Sequence, residues 1–179
     1  MRTLVAVRRN CEEGQTRGRV GVAEVLLLSL KFLHVVGAAV ILGTGSGIAF
    51  FMLIAHRSGD VAFIARTAGA VVLADTLFTA TAVTLQPVTG WLLAREIGWP
   101  LTEPWILAAL ALYGLAGAAW LPVVALQIRM RDLARAAAAT GAPLPPAYHR
   151  LFRWWFALGF PGFGAVAAIF WLMIAKPNF

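Results

Sequence analysis

Of the 179 residues, 60% are hydrophobic and 13% are charged, and the mean hydropathy is +0.79. An average soluble domain is about 45–50% apolar and about 25% charged, so the composition excludes an ordinary soluble domain and, more firmly, a disordered or fibrous chain. The net charge of +7 does not point to nucleic acid: the basic residues flank apolar stretches, where they orient helices and meet anionic lipid, and no basic face is left over.

Residues 1–21 carry five arginines, Cys11 and the pair Glu12-Glu13, with no apolar periodicity. They read as a basic tail and a candidate for disorder. A basic leader before an apolar run is also the layout of a secretory signal, whose core spans only about 7–15 residues. The run here is much longer and ends in no small-residue cleavage site, so it reads as a retained span. With a single cysteine, an internal disulfide or a thiolate metal cage is excluded.

Four stretches are nearly free of ionisable groups: 26–54, 68–94, 104–128 and 154–175. A hydrocarbon core about 30 Å thick takes about 20 helical residues to cross, and each stretch suffices. The expected fold is all-α, a polytopic membrane protein with a four-transmembrane-helix bundle, residues 22–179 forming one membrane domain in the lipid bilayer.

In span one, Lys31 and His34 are three apart and share a helix face. For His34 two readings stand: a neutral imidazole bonded to a neighbouring hydroxyl or carbonyl, or an axial ligand to haem iron. Lys31 either joins His34 or snorkels to the interface. Further along, Gly43-Thr-Gly-Ser-Gly47 is no phosphate loop, since no strand precedes it and no lysine follows. Gly43 and Gly47 instead form a small-xxx-small pair suited to close helix approach.

In span two, Asp75, Thr79, Gln86 and Thr89 fall within about 40° of one direction at 100° per residue. A polar stripe against lipid is costly, so it should point inward. Counting from the span ends puts Gln86 at the depth of His34 and Asp75 nearer the middle or the opposite leaflet. The expected cluster is Lys31, His34 and Gln86, with Asp75 a separate inward group that serves as a helix–helix hydrogen-bond partner or a proton carrier.

Span three continues as a helix through Arg129–Arg135 and breaks near Gly141, Pro143, Pro145 and Pro146. The region from Arg129 to Arg153 reads as a cytoplasmic connector. Span four holds Gly159, Pro161, Gly162 and Gly164, with a kink expected at Pro161. Trp91, Trp99, Trp105, Trp154, Trp155 and Trp171 sit near span ends, as interfacial belts require. The loops on one side hold seven arginines (57, 66, 129, 131, 135, 150 and 153), against Arg95 and Lys176 on the other. With the tail set aside, this places both termini outside.

Several segments resemble a family of bacterial integral-membrane proteins known as domain of unknown function 2269. They are Leu30-Lys-Phe-Leu-His-Val-Val-Gly37, Gln86-Pro-Val-Thr-Gly-Trp91, Trp99-Pro-Leu-Thr-Glu-Pro-Trp105, and Trp120 through Ala134. The resemblance implies a multi-pass protein of the bacterial inner membrane and no stated activity. Lys31-x-x-His34 with His56 closing the span, Arg150-Leu-Phe-Arg-Trp154 with Pro161, and the ending Ala175-Lys-Pro177 are similar to segments of haem-containing membrane protoporphyrinogen oxidases. That likeness implies haem b bound by His34. The lysine and histidine such oxidases carry in span three have no counterpart between Pro104 and Ile128.

The leading functional expectation is therefore a haem b or tetrapyrrole-binding redox component. In it His34 is the metal ligand, Lys31 pairs with a propionate, and Gln86 or Asp75 orients the site or relays protons. A second is a non-catalytic accessory or assembly subunit that packs through its glycine faces against a membrane partner or a second copy. A third is a small proton-coupled transporter using Asp75. Hydrolase and nucleotide-driven readings have no motif behind them.

Overall fold

The computed structural model describes residues 21–177 with their side chains. The reading of residues 1–21 as a tail falls, but for Gly21, outside the described residues. Five α-helices build the chain: α1 (Arg2–Ser58), α2 (Val61–Ala74), α3 (Ala80–Ile97), α4 (Pro104–Thr140) and α5 (Pro146–Ala175). A single π turn, Asp75–Thr79, joins α2 to α3 without a break, so the two make one span. Four helices result that are long and apolar enough to cross a membrane, and no strand occurs among the described residues.

The helix ends follow from local chemistry. Asp60 caps α2, its carboxylate accepting from the amides of Ala62 (2.8 Å) and Phe63 (3.1 Å), which satisfies donors a helix start leaves free. Proline opens both α4 and α5, where its missing N–H costs nothing. Gly98 (φ +83°) and Gly141 (φ +66°) end α3 and α4. At each, the next residue's amide reaches back to a helix carbonyl, Trp99 to Ala94 (2.8 Å) and Ala142 to Ala137 (3.0 Å). Such left-handed caps favour glycine because no Cβ clashes.

The helices outrun the apolar windows. Most of the connector expected between Arg129 and Arg153 is helical, and only residues 141–145 lie outside α4 and α5. The alanine run Ala136–Ala139 and the intervening arginines are good helix formers, so nothing stops α4 before Gly141. Pro161 lies inside α5, which continues through it. At 37 residues, α4 is about 55 Å long, nearly twice the hydrocarbon thickness. The arginine-rich helix ends therefore project beyond it.

Packing differs between these two zones. Ala55, Ile64, Met130, Ala134 and Tyr148 are sealed at the arginine-rich end, with Met52, Phe152 and Trp155 beside them. Farther along, Phe50, Leu73, Leu121, Phe160 and Trp171 are exposed on the outer surface. Apolar residues are driven inward where water surrounds the bundle, and in lipid that drive is absent. At the opposite end Lys176 lies over the rings of Trp99 (5.7 Å) and Trp105 (5.8 Å), which meet edge to face.

α4 packs along α5 and against α2, whereas α1 packs on α2, the π turn and α3 and only lightly on α5. α1 thus runs along the whole of span two, and α4 joins it chiefly at the α2 half. Ala134→Leu, at a position with no exposed surface, should destabilise the bundle by about 1–3 kcal/mol through overpacking. Ala111→Leu, on the lipid-exposed surface, should leave thermal unfolding in detergent unchanged. Equal effects would mean the two zones are packed alike.

Candidate functional site

The span-two stripe is inward: Asp75, Thr79, Gln86 and Thr89 are all buried. It does not form one site. Its two halves meet different helices and build two separate polar stations.

The first joins α1 to α3. Gln86 donates from Nε2 to the backbone carbonyl of His34 (2.9 Å), and His34 Nδ1 lies 2.8 Å from the hydroxyl of Thr89. Both contacts need close helices. A Cβ on Gly90 would come within 3.2 Å of the His34 ring, and one on Gly37 within 3.2 Å of the Gln86 amide. The expected depth match of His34 with Gln86 is realised in this contact. Lys31 is exposed and makes no hydrogen bond among the described residues, so it does not join them.

Proton bookkeeping assigns the His34 tautomer. The Thr89 hydroxyl has one proton and lies 3.0 Å from the Leu85 carbonyl and 3.1 Å from that of Gln86. If it donates to its own helix, its lone pair receives Nδ1–H and two hydrogen bonds form. If it donates to Nδ1, only one does. The first arrangement wins by one bond, about 1 kcal/mol or more where water is absent. His34 therefore carries its proton on Nδ1. Its Nε2 is left with a free lone pair and no partner among the described residues. The carbonyl Oε1 of Gln86, sealed in the same station, also lacks one.

The second station joins span two to α4 and α5. Asp75 opens the π turn and is 5% exposed. Its carboxyl takes Gln127 Nε2 at 2.6 Å and Trp120 Nε1 at 3.2 Å, and Gln127 Oε1 lies 3.4 Å from Trp155 Nε1. No lysine, arginine or histidine pairs with it among the described residues. Thr79 Oγ1, on the same turn, is buried and unpartnered. Between the stations, Tyr113 donates its hydroxyl proton to the Val83 carbonyl.

Sequence reasoning missed Trp120 and Gln127, and it set Trp155 in an interfacial belt where the structure buries it inside the bundle. A lone amide closing the otherwise apolar 104–128 window was the available signal. His56 lies 22 residues from His34 along α1, about 33 Å. It stacks on Phe152 (centroids 3.6 Å) beside Tyr148 and His149, so the two histidines do not share a site. A Cβ on Gly43, Gly47, Gly159 or Gly164 would meet nothing within 4 Å among the described residues. No cluster of three or more metal-ligating side chains occurs among the described residues.

A family model described as "Predicted integral membrane protein (DUF2269)" matches residues 28–177. The chain belongs to the DUF2269 family. The match takes in both polar stations and the four spans. No curated protein and no solved structure matches the chain.

Within this DUF2269 protein the His34–Thr89 bond should be measurable as a coupling. In a double-mutant cycle of His34→Ala and Thr89→Val, the interaction energy from unfolding in lipid–detergent mixtures should lie between about 0.6 kcal/mol, the average for hydrogen bonds between membrane helices, and about 1.7 kcal/mol, the largest. Additive losses would show that the two side chains do not share a bond. Gly90→Val should cost more than either single change by forcing α1 from α3.

Proposed function

We propose that this integral membrane protein binds haem b or a related tetrapyrrole through Nε2 of His34 and acts as a redox or electron-transfer component. The observation that carries the proposal is the hydroxyl–imidazole bond. Ligating histidines almost always donate their other ring N–H to a fixed acceptor, which sets the tautomer and makes the ligand nitrogen more basic. Thr89 gives His34 that acceptor, held by its own back-bond to α3.

The residues present fit an iron ligand in their donor chemistry. His34 is only part-buried, and its Nε2 is not among the sealed, unpartnered atoms. Exposed Lys31, one turn before it, supplies a cation of the kind a propionate pairs with. Gln86 anchors the α1 backbone at His34 and so holds the ring in place. Haem, when bound, supplies one-electron chemistry at its iron. The likeness of Lys31-x-x-His34 to the membrane protoporphyrinogen oxidases supports the same reading. Asp75 contacts none of these groups and has no part in it.

A second reading, a non-catalytic accessory subunit, is favoured by the open glycines Gly43 and Gly47. They present a face of α1 that no helix of this chain uses.

Protein purified in detergent after expression with ample haem should show a Soret band, with α and β bands that sharpen on reduction by dithionite. His34→Ala should bleach it while helicity is kept, and Thr89→Val should weaken haem retention about 10–100-fold. A flat visible spectrum would sink the haem reading. Loss of cross-linked oligomer in Gly43→Leu/Gly47→Leu would then favour the accessory reading.

A further inference from the structure

We propose that Asp75 is a proton-exchange site and that the Gln127 amide turns over when the proton binds, releasing Trp155. The observations behind it are independent of His34. The carboxyl lies within a span, seven residues beyond Ala68 and so about 10 Å inside that edge of the apolar window. It is buried, and the side chains within hydrogen-bond reach are two neutral donors. No other ionisable group pairs with it among the described residues; the Arg135 guanidinium of α4 reaches span two at Gly69, six residues before it. Residues 40–52 of α1, 117–127 of α4 and 155–168 of α5 contain none, and Asp75 is the only one between residues 68 and 89.

Two arrangements are open to the station, and each has one defect. With Asp75 ionised, Gln127 Nε2 donates to Oδ2, Trp120 Nε1 donates to Oδ1, and Gln127 Oε1 receives Trp155 Nε1–H. Every hydrogen bond is then made, but an unpaired negative charge sits in a medium that penalises it. With Asp75 protonated, the charge is gone and Oδ2–H needs an acceptor. Rotating the Gln127 amide by half a turn supplies Oε1 at the position Nε2 held. The 2.6 Å separation suits an O–H···O bond, whose range is about 2.5–3.0 Å, and is short for N–H···O at about 2.7–3.2 Å. The cost moves to Trp155, whose N–H then faces the amide NH2. Its 3.4 Å contact is the longest bond of the station and the one given up.

Proton uptake converts the carboxylate and a hydronium ion to a carboxyl and water, and no other covalent bond is made or broken. The change is carried to α5 because Gln127 touches both Asp75 and Trp155. The π turn places the carboxyl toward α4, and single π turns inside helices are frequent at functional sites.

Infrared spectra of protein labelled with carboxyl-13C aspartate, in lipid vesicles, test this directly. The chain has three aspartates, and Asp60 and Asp132 are exposed. A carboxyl band slow to shift in heavy water therefore belongs to Asp75, without recourse to a mutant. It should appear on acidification, be absent in Asp75→Asn, and rise in step with a change in tryptophan emission that Trp155→Phe removes. Trp155→Phe should keep the infrared band. No slow band at any pH, or a band that survives in Asp75→Asn, overturns the proton site. A band with no matching Trp155 emission change overturns the rotation of Gln127. Should Asp75→Asn fail to fold, the labelled wild type decides.

Discussion

Hydrocarbon offers no water to a polar group, so a buried donor or acceptor in the spans is costly unless it finds a partner within the bundle. Span two makes that constraint visible. It carries Asp75, Thr79, Gln86 and Thr89 on one side, too many for one neighbouring helix to serve. The bundle divides them. The α2 end and the π turn bring Asp75 to Trp120 and Gln127 of α4, and the α3 end brings Gln86 and Thr89 to His34 of α1. The packing of α4 chiefly on the α2 half of span two expresses this division. Each station also ties a different set of spans, which gives specificity where apolar packing alone has little preference among partners.

Glycine has opposite meanings on the two faces of α1. At Gly37, and at Gly90 opposite it on α3, the absent side chain lets a polar contact form between helices, and a Cβ would press on Gln86 or His34. At Gly43 and Gly47 a Cβ would meet nothing, so the absent side chain there eases no close contact among the described residues. Sequence spacing marks the second pair and passes over the first. The small-xxx-small rule detects a smooth surface, whereas the polar lock depends on which residue stands across the gap.

Much of the architecture was legible because it follows from length and period. The four spans, the inward stripe, the shared depth of His34 and Gln86, and the separateness of Asp75 come from counting apolar residues and turns. What was hidden depends on neighbours. The segment Asp75-Thr-Leu-Phe-Thr79 has no proline or glycine to announce a π turn, and nothing in it says that Asp75 faces α4 rather than α1. Lys31 shares a face with His34 by spacing, yet a long cationic side chain has a cheaper place at the surface. Trp155 sits near a span end, as belt tryptophans do, but the helices extend past the apolar window and enclose it. The same extension turned an expected connector into helix.

That extension also bears on how the stations hold their shape. Within lipid, association rests on a few hydrogen bonds and close backbone contacts, each worth about 1 kcal/mol or less. Beyond the hydrocarbon, Ala55, Ile64, Met130, Ala134 and Tyr148 are sealed in a core that the hydrophobic effect can stabilise. The bundle is thus clamped at its arginine-rich end and looser toward the His34 end. Asp75 lies near the clamp, hydrogen-bonded to Trp120 and Gln127 of α4, and Gln127 reaches Trp155 of α5. His34 lies at the looser end, where α1 has few neighbours and a ring nitrogen can stay open. A sealed end and an open end follow from where water stops and lipid begins.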